Sequence, residues 1–96
     1  MISIILPCYN EEKSIENNVS KIKEEITKIN KEYEIIVVDD GSTDSSREKL
    51  KSLDVKVISH PHNLGYGAAL KTGIKNAKFD TIVISDIDGS YPPKHI

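Results

Sequence analysis

The 96-residue chain has a single cysteine, Cys8, which excludes an internal disulfide and suits a reducing compartment. It also lacks an excess of positive charge. The formal net charge is −2 and no basic run stands out, so a polyanionic partner such as nucleic acid is not expected. Long hydrophobic runs are missing too. The longest cover Ile4 to Pro7, Ile35 to Val38 and Ile82 to Ile84, far too short to cross a bilayer. The start, MISIILPCYN, has neither the basic segment nor the extended apolar core of a signal peptide, and a cytoplasmic location is expected. Repeats, linkers and low-complexity tracts are absent. What remains is 38% hydrophobic and 29% charged, the balance of a soluble globular protein, and the length suits one small domain over residues 1–96.

Four β-branched, apolar stretches alternate with three helical patterns. Ile2 to Leu6 reads as a strand stopping at Pro7. From Glu11, the residues Ile15, Val19, Ile22, Ile26 and Ile29 recur at intervals of three and four, predicting an amphipathic helix to near Asn30. Tyr33 to Val38 reads as a second strand, closed by DDGSTD. Ser45 and Glu48 have capping-box spacing, so a helix through Leu50 and Leu53 is expected, with Thr43 or Asp44 as further capping candidates. Val55 to Ser59 is the third strand. Gly65 to Ala77, with Ala68, Ala69, Gly73 and Ala77, reads as a helix whose small residues let it lie close to a sheet. Thr81 to Ser85 is the fourth strand. The order βαβαβαβ with continuously apolar strands predicts a Rossmann-like parallel sheet with helices on both faces and right-handed crossovers. No helix follows the fourth strand to cover it. The domain is therefore expected to be truncated at its C-terminus, with an exposed sheet edge that invites self-association.

In such sheets, ligands bind at the carboxyl ends of the strands. That edge is expected to carry Tyr9, Asn10 and Glu11, then Asp39, Asp40 and Ser42, then His60, His62 and Asn63, and finally Asp86 and Asp88. Each group has an ordinary reading. Asp40 with Gly41 is a turn dipeptide, Asn63 to Gly67 is a lead into a helix, and the two histidines flank a proline in a solvated loop. Cys8 reads as a small residue packed at a strand end. Together the groups read differently. Residues at i and i+2 of an extended chain share a side, so Asp86 and Asp88 repel unless a cation lies between them. Hard oxygen ligands at this density suit Mg2+ or Mn2+, bridging to a substrate diphosphate.

The segments LPCYNEE, VVDDGSTD, NLGYGAALKTGI and SDIDGSYPP, in this order, resemble the family 2 glycosyltransferases, and among them the dolichol-phosphate mannosyltransferase-like branch. The resemblance extends over nearly the whole chain. It implies the N-terminal, nucleotide-binding part of a nucleotide-diphospho-sugar transferase (GT-A) fold and transfer from a UDP- or GDP-sugar with inversion. It implies that Pro7, Tyr9, Asn10 and Glu11 and the acid Asp39, beside Asp40, hold the nucleoside. Asp86 and Asp88 match the D-x-D pair that binds metal and sugar nucleotide, and Lys71 is a candidate to approach phosphate. The acceptor implied for this branch is a polyprenyl phosphate, reached from the cytoplasmic membrane face. Ser90 departs from the glutamine often found there. A general base, where one is used, is expected beyond Ile96. A phosphate acceptor is already ionised and needs such a base less than an alcohol does.

Two other readings compete. SDIDGS also resembles the D-x-D-G-T/S signature of haloacid dehalogenase-type phosphatases, with Asp86 as nucleophile. That signature normally closes the first strand of its domain and leaves PCYNEE and DDGSTD unexplained. The remaining reading is a nucleotide-sugar-binding fragment that transfers nothing by itself.

Overall fold

The computed structural model describes residues 1–29, 32–84 and 94–95. Its elements run β1 (Ile2–Cys8), α1 (Ile15–Ile29), β2 (Tyr33–Asp39), α2 (Ser46–Lys51), β3 (Lys56–Ser59), α3 (Tyr66–Lys75), β4 (Thr81–Ile84) and β5 (Lys94–His95). The strands form one sheet in the order β3-β2-β1-β4-β5. β1, β2, β3 and β4 are mutually parallel, with Ile4 opposite both Ile35 and Val83.

Apart from Ser3, β1 is apolar because both of its faces are covered. Ile4, Leu6 and Cys8 point to one face, where they meet Ile15, Val19, Ile22 and Ile26 of α1 and Leu50 of α2. Ile5 points to the other and packs with Ile36, Val38, Ile84 and Ala69 of α3. The two-residue period of the strand thus divides the core into two layers. α3 lies close to its layer because Gly73 has no side chain; a Cβ there would come within 2.4 Å of Ile5 Cγ2. At the amino edge of the sheet, the buried Ser3 hydroxyl donates to Glu34 Oε2 (2.6 Å) and accepts from the Phe79 N–H (3.0 Å).

Three expectations change. β1 continues through Pro7 to Cys8. The last described pair between β1 and β4 is Ile5 with Ile84, so a residue without an N–H at position 7 removes no described ladder bond. α2 ends at Lys51, and the Ser45 side chain makes no capping bond. Asp44 takes that role instead, its Oδ1 accepting from the Ser46 N–H at 2.9 Å. Finally, β5 runs antiparallel to β4, pairing Val83 with His95 and Ile84 with Lys94. The edge expected to be open at β4 is occupied there. No helix among the described residues is long and apolar enough to cross a membrane.

Candidate functional site

From β1 the chain winds outward through β2 to β3 with α1 and α2 on one face, then returns across the other face through α3 to β4. The direction of winding therefore reverses between β1 and β4. In open α/β sheets, the crevice outside the carboxyl ends of the strands at such a reversal is where ligands bind. The loop leaving β1 flanks this crevice from one side, and the carboxyl end of β4 at Ile84 lies on the other.

The loop after β1 is fastened to the loop after β2. Asn10 has a left-handed backbone (φ 51°), which asparagine tolerates better than most residues. This turns its side chain toward the DGSTD segment, where Oδ1 accepts from the Thr43 N–H (2.8 Å), the Asp44 N–H (3.3 Å) and the Thr43 hydroxyl (3.4 Å). In return the Asn10 N–H donates to Ser42 Oγ (3.0 Å) and the Glu11 N–H to Ser46 Oγ (2.8 Å). Asp44 Oδ2 accepts from the Glu12 N–H at 3.3 Å. Burial disfavours ionisation of Asp44, but hydrogen bonds from Ser46 and Glu12 outweigh it and hold the carboxyl below its ordinary range. Lys49 Nζ closes the seam on the Glu12 carbonyl at 2.6 Å.

The loop after β3 is fastened to the same turn. Gly41 adopts φ +73°, and a Cβ on it would lie 2.3 Å from the His62 carbonyl carbon and 2.5 Å from the Asn63 nitrogen. Backbone thus crosses directly over backbone at this glycine. Asp39 is fully buried. Its Oδ2 accepts from Arg47 Nε (2.8 Å) and its Oδ1 from the Ser42 N–H (3.3 Å). A second nitrogen of the same guanidinium, Nη2, donates to the His60 carbonyl at 3.1 Å. Asp40, also buried, turns toward α3: Oδ1 accepts from His60 Nδ1 (2.7 Å) and the Leu64 N–H (2.9 Å), and Oδ2 from the Gly65 N–H (2.9 Å). Burial alone would raise the Asp40 pKa. The His60 bond and the two backbone N–H groups overcome it and keep the carboxyl below its ordinary value.

His60 is therefore not the solvated loop residue expected. It is buried between Asp40 and Thr72, whose Oγ1 lies 2.8 Å from Nε2, whereas His62 is exposed as expected. Pro7 is half-buried in β1, Tyr9 is exposed beside the rim, Glu11 is half-buried and Lys71 lies exposed on α3. Asp86 and Asp88 lie outside the described residues. Among the described residues, no group of three or more histidine, cysteine, aspartate or glutamate side chains is placed to hold a metal ion. Cys8 is packed beneath the rim, its thiol pushed up to about 12 by burial and then by the negative charges of Asp39 and Glu11. Sequence reasoning passed over Arg47, Ser46 and Thr72, which look like ordinary helix residues. For Arg47, the only sequence signal is a cation in the first turn of the helix that follows two adjacent acids.

A family model described as "Glycosyl transferase family 2" matches residues 3–96. A protein named dolichol-phosphate mannosyltransferase, from Pyrococcus furiosus, is 38% identical over 99% of this chain and 28% of its own length. An undecaprenyl-phosphate 4-deoxy-4-formamido-L-arabinose transferase from Aeromonas hydrophila is 32% identical over 100% of this chain and 31% of its own length. The chain thus spans less than a third of these relatives. Among solved structures, a mannosyltransferase from Pyrobaculum calidifontis in complex with GDP-Man and Mn2+ superposes with a TM-score of 0.81. It is 28% identical, over 91% of this chain and 27% of its own.

Proposed function

Because the chain belongs to glycosyl transferase family 2, we propose that its crevice at the carboxyl ends of β1 and β4 binds a nucleotide-diphosphate sugar for transfer, with inversion, to a polyprenyl phosphate. The observation that carries this reading is the family match over residues 3–96, which spans the rim built from Asn10, Asp39 and Asp40. Asp39 and the segment from Pro7 to Glu11 are assigned to the nucleoside, and Lys71 to the diphosphate. In the described structure, Asp40 is committed to the third loop, so its assigned part is to shape the nucleoside pocket.

Asp86 and Asp88 would hold Mg2+ or Mn2+, which when bound offsets the charge that develops on the departing nucleoside diphosphate. Two carboxylates one residue apart suit a hard cation with oxygen ligands, and the mannosyltransferase from Pyrobaculum calidifontis carries Mn2+ together with GDP-Man. In the transfer, an acceptor phosphate oxygen attacks the anomeric carbon as the bond from that carbon to the diphosphate oxygen breaks. The rim serves by holding the nucleoside end still, so that the anomeric carbon stays in line with the acceptor. The names of the relatives from Pyrococcus and Aeromonas support a polyprenyl-phosphate acceptor and hence work at the cytoplasmic membrane face. The family match also replaces the dehalogenase-type reading of SDIDGS.

Calorimetry with UDP and GDP tests the reading. Both measurements are made with Mn2+ and again with EDTA. Binding is expected to require the metal, and Asp88→Asn to weaken it more than Asp86→Asn. Binding of either nucleotide that is indifferent to EDTA would overturn the assignment of Asp86 and Asp88.

A further inference from the structure

Among the described residues His60 makes four hydrogen bonds, and every one reaches a residue of the rim or of the helix behind it. Its N–H donates to the Asp39 carbonyl (2.9 Å) and its carbonyl accepts from Arg47 Nη2 (3.1 Å), the guanidinium that also holds the Asp39 carboxylate. Its ring joins Asp40 Oδ1 (2.7 Å) to Thr72 Oγ1 (2.8 Å). The remaining bonds of Asp40, from the Leu64 and Gly65 N–H groups, belong to the same loop. An ionised carboxylate only accepts, so Nδ1 must carry a proton, and in the neutral ring Nε2 then accepts from the Thr72 hydroxyl. No ring atom is left over.

We propose that His60 is a positioning residue of the nucleotide site: Thr72 and Asp40 fix its ring, and its main chain fixes Arg47 and Asp39. The inference rests on the reading of this crevice as a nucleotide-sugar site. Its physical basis is that three parts of the fold meet in one residue. The end of β2 and the residue after it supply Asp39 and Asp40, the loop after β3 supplies His60 itself, and α3 supplies Thr72. Thr72 is next to Lys71, so the bond that orients the ring also sets how α3 presents that lysine. Without the Thr72 hydroxyl the ring keeps one anchor of two, and the 60–65 segment gains alternative arrangements over Gly41. A ligand that needs one arrangement then binds in proportion to the fraction that has it. A histidine that merely fills the core would behave differently. Its loss would lower stability in the free and bound protein alike and leave affinity unchanged.

Thr72→Val and Thr72→Ser separate these cases, because valine keeps the branched shape and removes only the hydroxyl, whereas serine keeps the hydroxyl. Affinity for GDP and UDP with Mn2+ is measured by calorimetry at a temperature where circular dichroism shows each variant folded. Thr72→Val is expected to bind about fivefold to tenfold more weakly, the effect of one lost hydrogen bond expressed through the loop, and Thr72→Ser to recover most of that loss. A lowered melting temperature with unchanged affinity in Thr72→Val, while the unmutated protein binds normally, overturns the inference alone. Failure of the unmutated protein to bind either nucleotide overturns the site reading, and this inference with it.

Discussion

At the scale of single residues, burial decides what each side chain can do. The Cys8 thiol, pushed up to about 12, stays protonated at neutral pH and is inert as a nucleophile. Iodoacetamide at pH 8 is expected to leave the native protein unlabelled and to label it fully in urea, as read by mass spectrometry. Native labelling at the rate of a free thiol would show that β1 does not hold Cys8 inside. Asp40 has the opposite signature, because its folded pKa lies below the unfolded value. Its contribution to stability is therefore present above about pH 4 and is lost as the pH falls through the folded value. In acid titrations followed by circular dichroism, Asp40→Asn should be less stable at pH 7 and lose less on acidification than the unmutated protein. The polar residues of the rim were legible as a group because they follow apolar strands. Their pairings were not. His60 and His62 flank one proline in the same polar setting, and nothing in that tripeptide says which ring turns inward; the choice is made by Asp40 and Thr72, distant in sequence.

At the scale of elements, two glycines mark where backbones come too close for a side chain. Gly41→Ala combines a left-handed residue with contacts to the backbone of His62 and Asn63 that cannot yield, and should cost at least about 2 kcal/mol. Gly73→Ala meets the Ile5 side chain in a filled layer, where overpacking typically costs about 1–3 kcal/mol. Urea denaturation of both variants checks these values, and a Gly41→Ala protein as stable as the parent would mean that the two loops do not cross as described. Strands β1 to β4 were legible because burial on both faces demands unbroken apolar runs, as in Ile35 to Val38. β5 was not, since Lys94 and His95 carry no apolar signal and are a strand only by pairing with Ile84 and Val83. The Ser45 capping box failed for a related reason. Asp44 already meets the Ser46 N–H, and it also ties in Glu12 from another loop, a contact that no local spacing encodes.

At the scale of the whole molecule, the sheet order places β1 in the middle, bordered by strands that come later in the chain. The parallel architecture could be anticipated from the alternation of strands and helices. The point of reversal between β1 and β4 could not, because it depends on which face α3 crosses. This order has a consequence for how the protein comes into being. Of these five strands, the first to leave the ribosome is the one that needs neighbours on both sides. β2 can join it once α1 is made, but Ile2 must wait for Thr81, and the Ser3 hydroxyl for the Phe79 N–H. Until then the layer that holds Ile5 is open where Ile84 will lie. The nascent chain thus carries an open apolar seam until β4 is made, and the same closure that ends this exposure completes the crevice between β1 and β4.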